Sequence, residues 1–274
     1  MIAGASLTGA STASLAAHQL VPYLGGKSRA ATRLIARFPE HRCYAEVFAG
    51  GLSVLLRKPP SPVEVVNDFD SELIHLYKMV KFRLGEFLEG VDRIPISREL
   101  FEDWLHQDPT YLNDVYRAVC KFYLIHQSFG ASEVEGFGTR KTAPRRLPVP
   151  TFIEEFGQRI CRVTFECLDA VHFIQRYDGP DTFFYVDPPY MGRDRYTQKF
   201  GGADRHEHLR DQLAACRGKW LLSHHDTPEI RALYQAFEIR RFPVPYSLAK
   251  GQKQVINELI ISNYQPPKKR GVRK

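Results

Sequence analysis

Phe183-Phe184-Tyr185-Val186-Asp187-Pro188-Pro189-Tyr190 joins a continuous apolar run to an acid, two prolines and an aromatic ring. Four apolar or aromatic residues in a row, without alternation, suit a strand buried on both faces, the usual condition in a parallel sheet. The prolines stop that strand, because neither has an N–H for a ladder and each fixes φ. At the strand's carboxyl end stand the Asp187 carboxylate and the carbonyls of Pro188 and Pro189. This stiff turn offers acceptors only, with the flat face of Tyr190 beside it. Open α/β sheets bind ligands at the carboxyl ends of their strands.

Working outward, similar apolar, β-branched runs occur at Tyr44–Phe48, Val63–Asn67, Arg162–Cys167, Lys219–Leu222, Phe237–Phe242 and Glu258–Ser262. Between them lie amphipathic stretches with helical spacing, Ser28–Arg37, Ser71–Phe82, His206–Cys216 and Pro228–Ala236. Strands alternating with helices predict an α/β fold, a Rossmann-like, mainly parallel sheet with helices on both faces. Residues 85–150 break the alternation. They read as a mainly helical inserted module, with a helix pattern over Tyr111–Phe122 and a Gly- and Pro-containing basic loop after it. The expected division is a flexible extension over 1–20, a main α/β domain over 21–84 and 151–265, the insert over 85–150, and a basic, disordered tail over 266–274.

Two further strand ends bear on a ligand. The first strand runs into Phe48-Ala49-Gly50-Gly51-Leu52-Ser53, and a helix pattern follows. A glycine turn there admits a ligand close to the backbone and points helix N–H groups at it, although Gly-Gly is also a common plain turn. The next strand ends at Asn67-Asp68-Phe69-Asp70. Asp68 lies one βαβ step on, where such folds place an acid for ribose hydroxyls. Asp70 is better placed to cap the helix starting near Ser71, leaving Asp68 to a ligand. No full Gly-x-Gly-x-x-Gly pattern is present, which argues against NAD or FAD.

The acceptor turn suits one task, gripping an –NH2 group on a planar ring. Two acceptors take its two protons and draw the nitrogen lone pair out of ring conjugation, which makes the nitrogen a better nucleophile, and Tyr190 stacks on the ring. The competing reading is a proline-rich turn with a solvated aspartate.

At these residues the chain resembles the Dam-like family of adenine-specific (N6) DNA methyltransferases, from about Pro22 to Tyr264. Pro22-Tyr23-Leu24-Gly25-Gly26-Lys27 resembles the family's N-terminal aromatic–Gly–Gly–Lys motif. The resemblance implies S-adenosyl-L-methionine as cofactor. It makes Tyr23 and Lys27 cofactor residues, the loop Phe48 to Gly51 (with Gly50) the methionine-binding turn, Asp68 the ribose contact and Asp187 a cofactor neighbour. Asp169, in Glu166-Cys167-Leu168-Asp169, is then an acceptor for the cofactor's adenine, with a helix cap as its other reading. Asp187, Pro188, Pro189 and Tyr190 become the catalytic residues. Leu221–Pro228 and Asn257–Tyr264 look like framework segments. Two departures stand out: Leu52 where the family commonly has a second glycine, and His224 where relatives often carry Asn. The resemblance places target recognition in the insert, with Phe129, Phe137, Arg140, Lys141, Arg145 and Arg146 near its end. Met191–Gly202, with Arg193, Arg195, Tyr196 and Lys199, becomes a loop closing over a flipped base.

The bulk numbers fit without deciding. A net charge of +7 and a pI of about 9.1 suit a polyanionic partner or simply a basic protein. The five scattered cysteines show no Cys-x-x-Cys pair, so thiols are expected, without a zinc site or disulfide framework. No histidine sits at metal-ligand spacing with an acid, and no metal is expected. Met1–Gln19 lacks a basic n-region and a solid apolar run. The expected setting is cytoplasmic, with double-stranded DNA as partner, no membrane, and a cognate restriction endonuclease as a possible companion. N4-cytosine or RNA amino methylation and a catalytically silent DNA-binding relative remain open, with a nicotinamide enzyme further off.

Overall fold

The computed structural model describes residues 19–22, 26–128, 136–138, 147, 150–190, 203–247 and 253–267. The chain divides into two compact units, one of Met1–Gly26 and Met79–Cys161, the other of Lys27–Lys78 and Arg162–Lys274.

The second unit carries a seven-stranded sheet. Its strands are β1 (Cys43–Glu46), β2 (Val63–Asn67), β3 (Thr164–Glu166), β4 (Thr182–Val186), β5 (Lys219–His225), β6 (Glu238–Ser247) and β7 (Lys253–Ser262). Their order is β3-β2-β1-β4-β5-β7-β6. The first five pair in parallel, and β7 runs antiparallel to both β5 and β6. All seven runs read from the sequence are strands. β6 and β7 are longer than their apolar runs because they form an edge hairpin, paired from Glu238↔Ser262 to Ser247↔Lys253. Edge strands need no continuous apolar character, and they tolerate Pro243 and Pro245, which would break a central ladder.

The expected doubly wound layering is present. On one face Ala45, Val47, Val65, Phe184, Val186, Trp220 and Leu222 form a core with α-helical residues from Ala170–Tyr177, Ala203–Ala215 and Pro228–Leu233. On the other face Tyr44, Phe183 and Tyr185 pack against Phe38, just after the helix Ala31–Ile35. Tyr77 of the helix Ser71–Phe82 packs on Phe165 of β3. In chain order these helices are α1 (Ala31–Ile35) and α2 (Ser71–Phe82), then α7 (Ala170–Tyr177), α8 (Ala203–Ala215) and α9 (Pro228–Leu233). Trp220 is fully buried at the centre, its indole N–H donating to the Leu213 carbonyl at 2.7 Å, so its apolar area is gained without an orphaned donor.

The first unit is helical: α3 (Leu84–Arg93), α4 (Arg98–His106), α5 (Asp114–Gln127) and α6 (Pro150–Ile160). It has its own core of Phe101, Cys120, Tyr123 and Leu124. Ser97 and Asn113 cap α4 and α5 by accepting from Leu100 and Tyr116 N–H groups, as short polar residues at those positions do. A Cβ on Gly90 would lie 2.9 Å from Val119 Cγ2, so α3 approaches α5 as closely as it does only because Gly90 has no side chain.

Three local expectations are corrected. No helix follows the glycine turn: residues 51–58 form successive turns, because Pro59 and Pro60 leave too little chain for a helix to propagate. Ser28–Arg37 is a 3-10 turn over Lys27–Arg29 followed by the five-residue α1. Leu20 and Pro266, placed in flexible ends by the sequence, are buried. The Leu20 carbonyl bonds His126 Nε2 at 2.8 Å and the Pro266 carbonyl accepts from Arg240 Nη1 at 3.1 Å. The rest of both ends, residues 1–18 and 268–274, lies outside the described residues. All five cysteines are free thiols.

Candidate active site

The chain leaves β1 toward β2 and β3 on one side, and reaches β4 and β5 on the other. β1 and β4 therefore flank the switch point, where doubly wound sheets open a crevice. The glycine turn follows β1 and the Asp-Pro-Pro-Tyr turn follows β4, so both stand at that crevice.

Polar side chains lace the strand ends on the β1 side together. Asn67, at the end of β2, donates through Nδ2 to the Val47 and Leu168 carbonyls at 3.1 and 3.0 Å and accepts from Leu168 N–H at 2.8 Å. One side chain thus ties the turns after β1 and β3 to the end of β2. Asp70 caps α2, as expected, accepting from Glu72 and Leu73 N–H groups. Asp68 is half-buried, and its oxygens accept from Gly50 N–H at 2.9 Å and Asp70 N–H at 3.0 Å. The Gly50 N–H is therefore committed to Asp68, and its carbonyl accepts from Tyr77 Oη at 2.5 Å. Phe48 is half-buried against the sheet core. Asp169 caps α7 through Val171 N–H at 2.9 Å, and its other oxygen lies 3.7 Å from Arg205. Tyr23 lies outside the described residues.

Gly50 has φ 43° and Leu52 has φ 56°, the latter in a region that non-glycine residues seldom adopt. The Leu52 side chain is fully buried, and that burial offsets the backbone cost of about 1–2 kcal/mol. Leu52→Gly is accordingly expected to destabilise the protein by about 2 kcal/mol, although it relieves the strained φ. Chemical denaturation measures this, and a more stable variant would show that strain outweighs packing there.

On the other side of the crevice, Asp187 sits in a dense polar cluster. Its Oδ1 receives Lys27 Nζ at 2.8 Å, Ser223 Oγ at 2.9 Å and Tyr190 Oη at 3.3 Å. Lys27 Nζ also donates to Tyr190 Oη and lies 3.8 Å from Glu258 Oε2. No described residue hydrogen-bonds Asp187 Oδ2. Lys27 is 4% exposed and Glu258 fully buried. Behind Ser223, the buried Tyr185 hydroxyl lies 3.1 Å from Ser223 Oγ.

Imidazoles pack around Tyr190. His225 and His224 ring centroids lie 4.2 and 4.7 Å from its own, and His206 lies 5.5 Å from His224. The His206 ring hydrogen-bonds the Pro189 carbonyl, taking one of the turn's acceptors. Burial, then the neighbouring His206, pushes the His224 pKa down to about 3, and burial lowers His206 as well. Both rings are neutral at neutral pH; His224 gives Tyr190 an uncharged aromatic wall, and His206 packs on His224.

Glu46, at the end of β1 and in register with Tyr185, accepts from the Tyr44 hydroxyl at 2.7 Å. Burial, reinforced by nearby Asp187, lifts its pKa to about 8 despite the Tyr44 hydrogen bond.

The sequence reading thus placed Lys27, Asp187 and Tyr190 in the site, and they are in direct contact. It did not single out Ser223, His206, His225, Glu46 or Glu258. For Glu258 a signal existed: one carboxylate within the apolar run Leu259-Ile260-Ile261 and its flank must find a partner when buried. Phe129, Arg140, Lys141, Arg145, Arg146 and the loop with Arg193, Arg195, Tyr196 and Lys199 lie outside the described residues. Among the described residues no group of three or more His, Cys, Asp or Glu is placed to hold a metal ion, and no helix is long and apolar enough to cross a membrane.

The sheet thus brings a glycine turn after β1 and an Asp-Pro-Pro-Tyr turn after β4 to one crevice. The model of the D12 class N6 adenine-specific DNA methyltransferases matches residues 23–243, and the chain belongs to that family. Among relatives, a DNA adenine methylase of Salmonella typhi is 27% identical over 271 residues, covering 89% of this chain and 94% of that protein. A DNA adenine methylase of Escherichia coli K12 is 24% identical, with the same coverage. A Type II methyltransferase of Lactococcus lactis subsp. cremoris is 24% identical over 88% of this chain and 94% of its own length.

Proposed function

We propose that this enzyme moves a methyl group from S-adenosyl-L-methionine to the adenine N6 of double-stranded DNA, with Asp187 and the Pro188 carbonyl as acceptors for the amino group. The observation that carries the assignment is the Asp187 carboxylate itself. One oxygen is fixed by Lys27, Ser223 and Tyr190, and no described residue hydrogen-bonds the other. A carboxylate held by one oxygen can present the second in a set direction without reorganising.

The residues at the crevice fit the cofactor. The Gly50-Gly51 turn sets no Cβ against a methionine moiety, the half-buried Asp68 suits ribose hydroxyls, and Asp169, after β3, suits an adenine amino group while still capping α7. Lys27, Phe48, Gly50, Asp68, Asp169 and Asp187 would form this site, and Tyr23 is assigned to cofactor binding by the family resemblance alone. When bound, the cofactor supplies an electrophilic methyl group. The chain's own residues do the rest. Asp187 Oδ2 and the Pro188 carbonyl accept the two N–H bonds of the amino group, and Pro189 keeps the turn stiff. Tyr190, backed by neutral His224 and by His225, stacks on a base that must leave the duplex to reach it.

We assign the catalytic domain to 21–84 and 151–265, and target recognition to the insert 85–150, whose helices have a core of their own. A cytoplasmic setting and a cognate restriction endonuclease belong to the same reading; the Type II name of the Lactococcus relative supports the latter.

The test is direct. Purified protein, labelled S-adenosylmethionine and unmethylated DNA should yield N6-methyladenine on nucleoside analysis. Label in N4-methylcytosine, or none despite DNA binding, would refute the reading.

A further inference from the structure

Lys27 and Glu258 together pose a problem that the transfer reaction alone does not explain. A lysine ammonium has four rotatable bonds behind it, and holding it in one place has an entropic cost. Lys27 is nevertheless buried, and it sits between two carboxylates: Asp187 Oδ1 at 2.8 Å and Glu258 Oε2 at 3.8 Å. A buried Glu–Lys–Asp group is costly to desolvate, and apolar side chains would pack this space more cheaply. The groups facing Glu258 come from several elements. His225 is opposite it on β5 and Phe242 opposite on β6, while Lys27 comes from the turn before α1.

The electrostatics suggest what the third group does. An ammonium paired with Asp187 alone would neutralise that carboxylate and weaken it as an acceptor. With a second carboxyl group 3.8 Å away, the same ammonium fixes Oδ1 without being committed to Asp187 alone. Glu258 also reaches Lys27 Nζ from a strand held by ladders on both sides, since β7 pairs with β5 and with β6.

We propose that Glu258 is a positioning residue for methyl transfer: it holds Lys27 against Asp187 Oδ1, so that Oδ2 meets the adenine amino group in one orientation and with its acceptor strength preserved. The proposal rests on the assignment of Asp187 as the amino acceptor. It gives Lys27 a task at the catalytic carboxylate in addition to the cofactor contact inferred for it.

A double-mutant cycle in the full-length enzyme, read by single-turnover methyl transfer at saturating DNA and S-adenosylmethionine, tests it. Glu258→Gln should slow transfer by about tenfold or more, the scale of misplacing a reacting group, with KM for both substrates unchanged within about twofold. Combining it with Lys27→Met should add nothing, the double variant staying within about threefold of Lys27→Met alone. Should Lys27→Met be too slow to time, Lys27→Arg takes its place, and Glu258→Gln should then again slow transfer about tenfold. If Glu258→Gln does not fold, Glu258→Asp should give an intermediate rate in the wild-type background and no effect beside Lys27→Met. Multiplicative effects, a wild-type rate in Glu258→Gln, or losses confined to KM would overturn the proposal. Failure of the underlying reading shows separately, as normal turnover when Asp187 itself is replaced.

Discussion

Asp187→Ala is expected to lower the rate of methyl transfer by about a thousandfold or more, while DNA affinity stays within about threefold. The size follows from what is lost. The amino group loses its charged acceptor, and Lys27, Ser223 and Tyr190 lose the atom on which they converge. Removing one partner of a buried ion pair also destabilises a protein, so the alanine variant is to be paired with Asp187→Asn. The amide keeps the shape and one oxygen, and its melting temperature should stay close to wild type while transfer still falls by at least about a hundredfold. Transfer kinetics, DNA binding by anisotropy and thermal melting separate these effects. Normal turnover in a folded Asp187→Asn enzyme would remove Asp187 from the mechanism.

The second large effect is on stability, and its sign depends on pH. Glu46 has a folded pKa of about 8 against an ordinary 4.5. Its raised value means that the unfolded chain ionises first, so stability is fully present below about pH 4.5 and is lost as pH rises toward 8. His224 runs the other way. Its folded pKa of about 3 lies below the ordinary 6.5, so its contribution is present above pH 6.5 and lost as pH falls toward 3. Between pH 4.5 and 6.5 the two slopes oppose each other. Above 6.5 only the Glu46 slope of these two remains, about 1.4 kcal/mol per pH unit. Glu46→Gln should therefore stabilise the protein by about 3 kcal/mol near pH 7 and flatten the decline from 6.5 to 8. His224→Asn should flatten the acid limb instead. Urea midpoints across pH 5 to 9 provide the measurement, and a Glu46→Gln curve parallel to wild type would contradict the assignment.

The fold was legible in unusual detail because its strands are buried. A parallel strand covered on both faces cannot alternate, so Phe183–Val186 and Lys219–Leu222 stood out as apolar runs. The edge hairpin was underestimated for the converse reason, since Pro243 and Pro245 on β6 and Gln254 and Asn257 on β7 break up the apolar pattern beyond the runs that stood out. Asp70 was rightly read as the cap of α2, a local relation of two and three residues. The helix expected after Gly51 was not there. Helical spacing of apolar residues does not register that Pro59 and Pro60 close the segment.

The Asp-Pro-Pro-Tyr turn shows where the two kinds of information divide. By itself the sequence determined the chemistry on offer: an acid, two carbonyls without N–H groups and an aromatic face, at the end of a strand that had to be central. These are properties of residue types and of a local backbone. Only the tertiary structure decided how that acid is held. Lys27 precedes Asp187 by 160 positions, while Ser223 and Glu258 follow it on β5 and β7. No spacing rule joins them, because strand order, not chain order, sets their distances. The sheet places β4 between β1 and β5 and lays β7 against β5. That placement gathers one ammonium, two carboxylates and two hydroxyls within hydrogen-bonding or ion-pair reach of one another, and it leaves one oxygen of Asp187 without a hydrogen bond from any described residue.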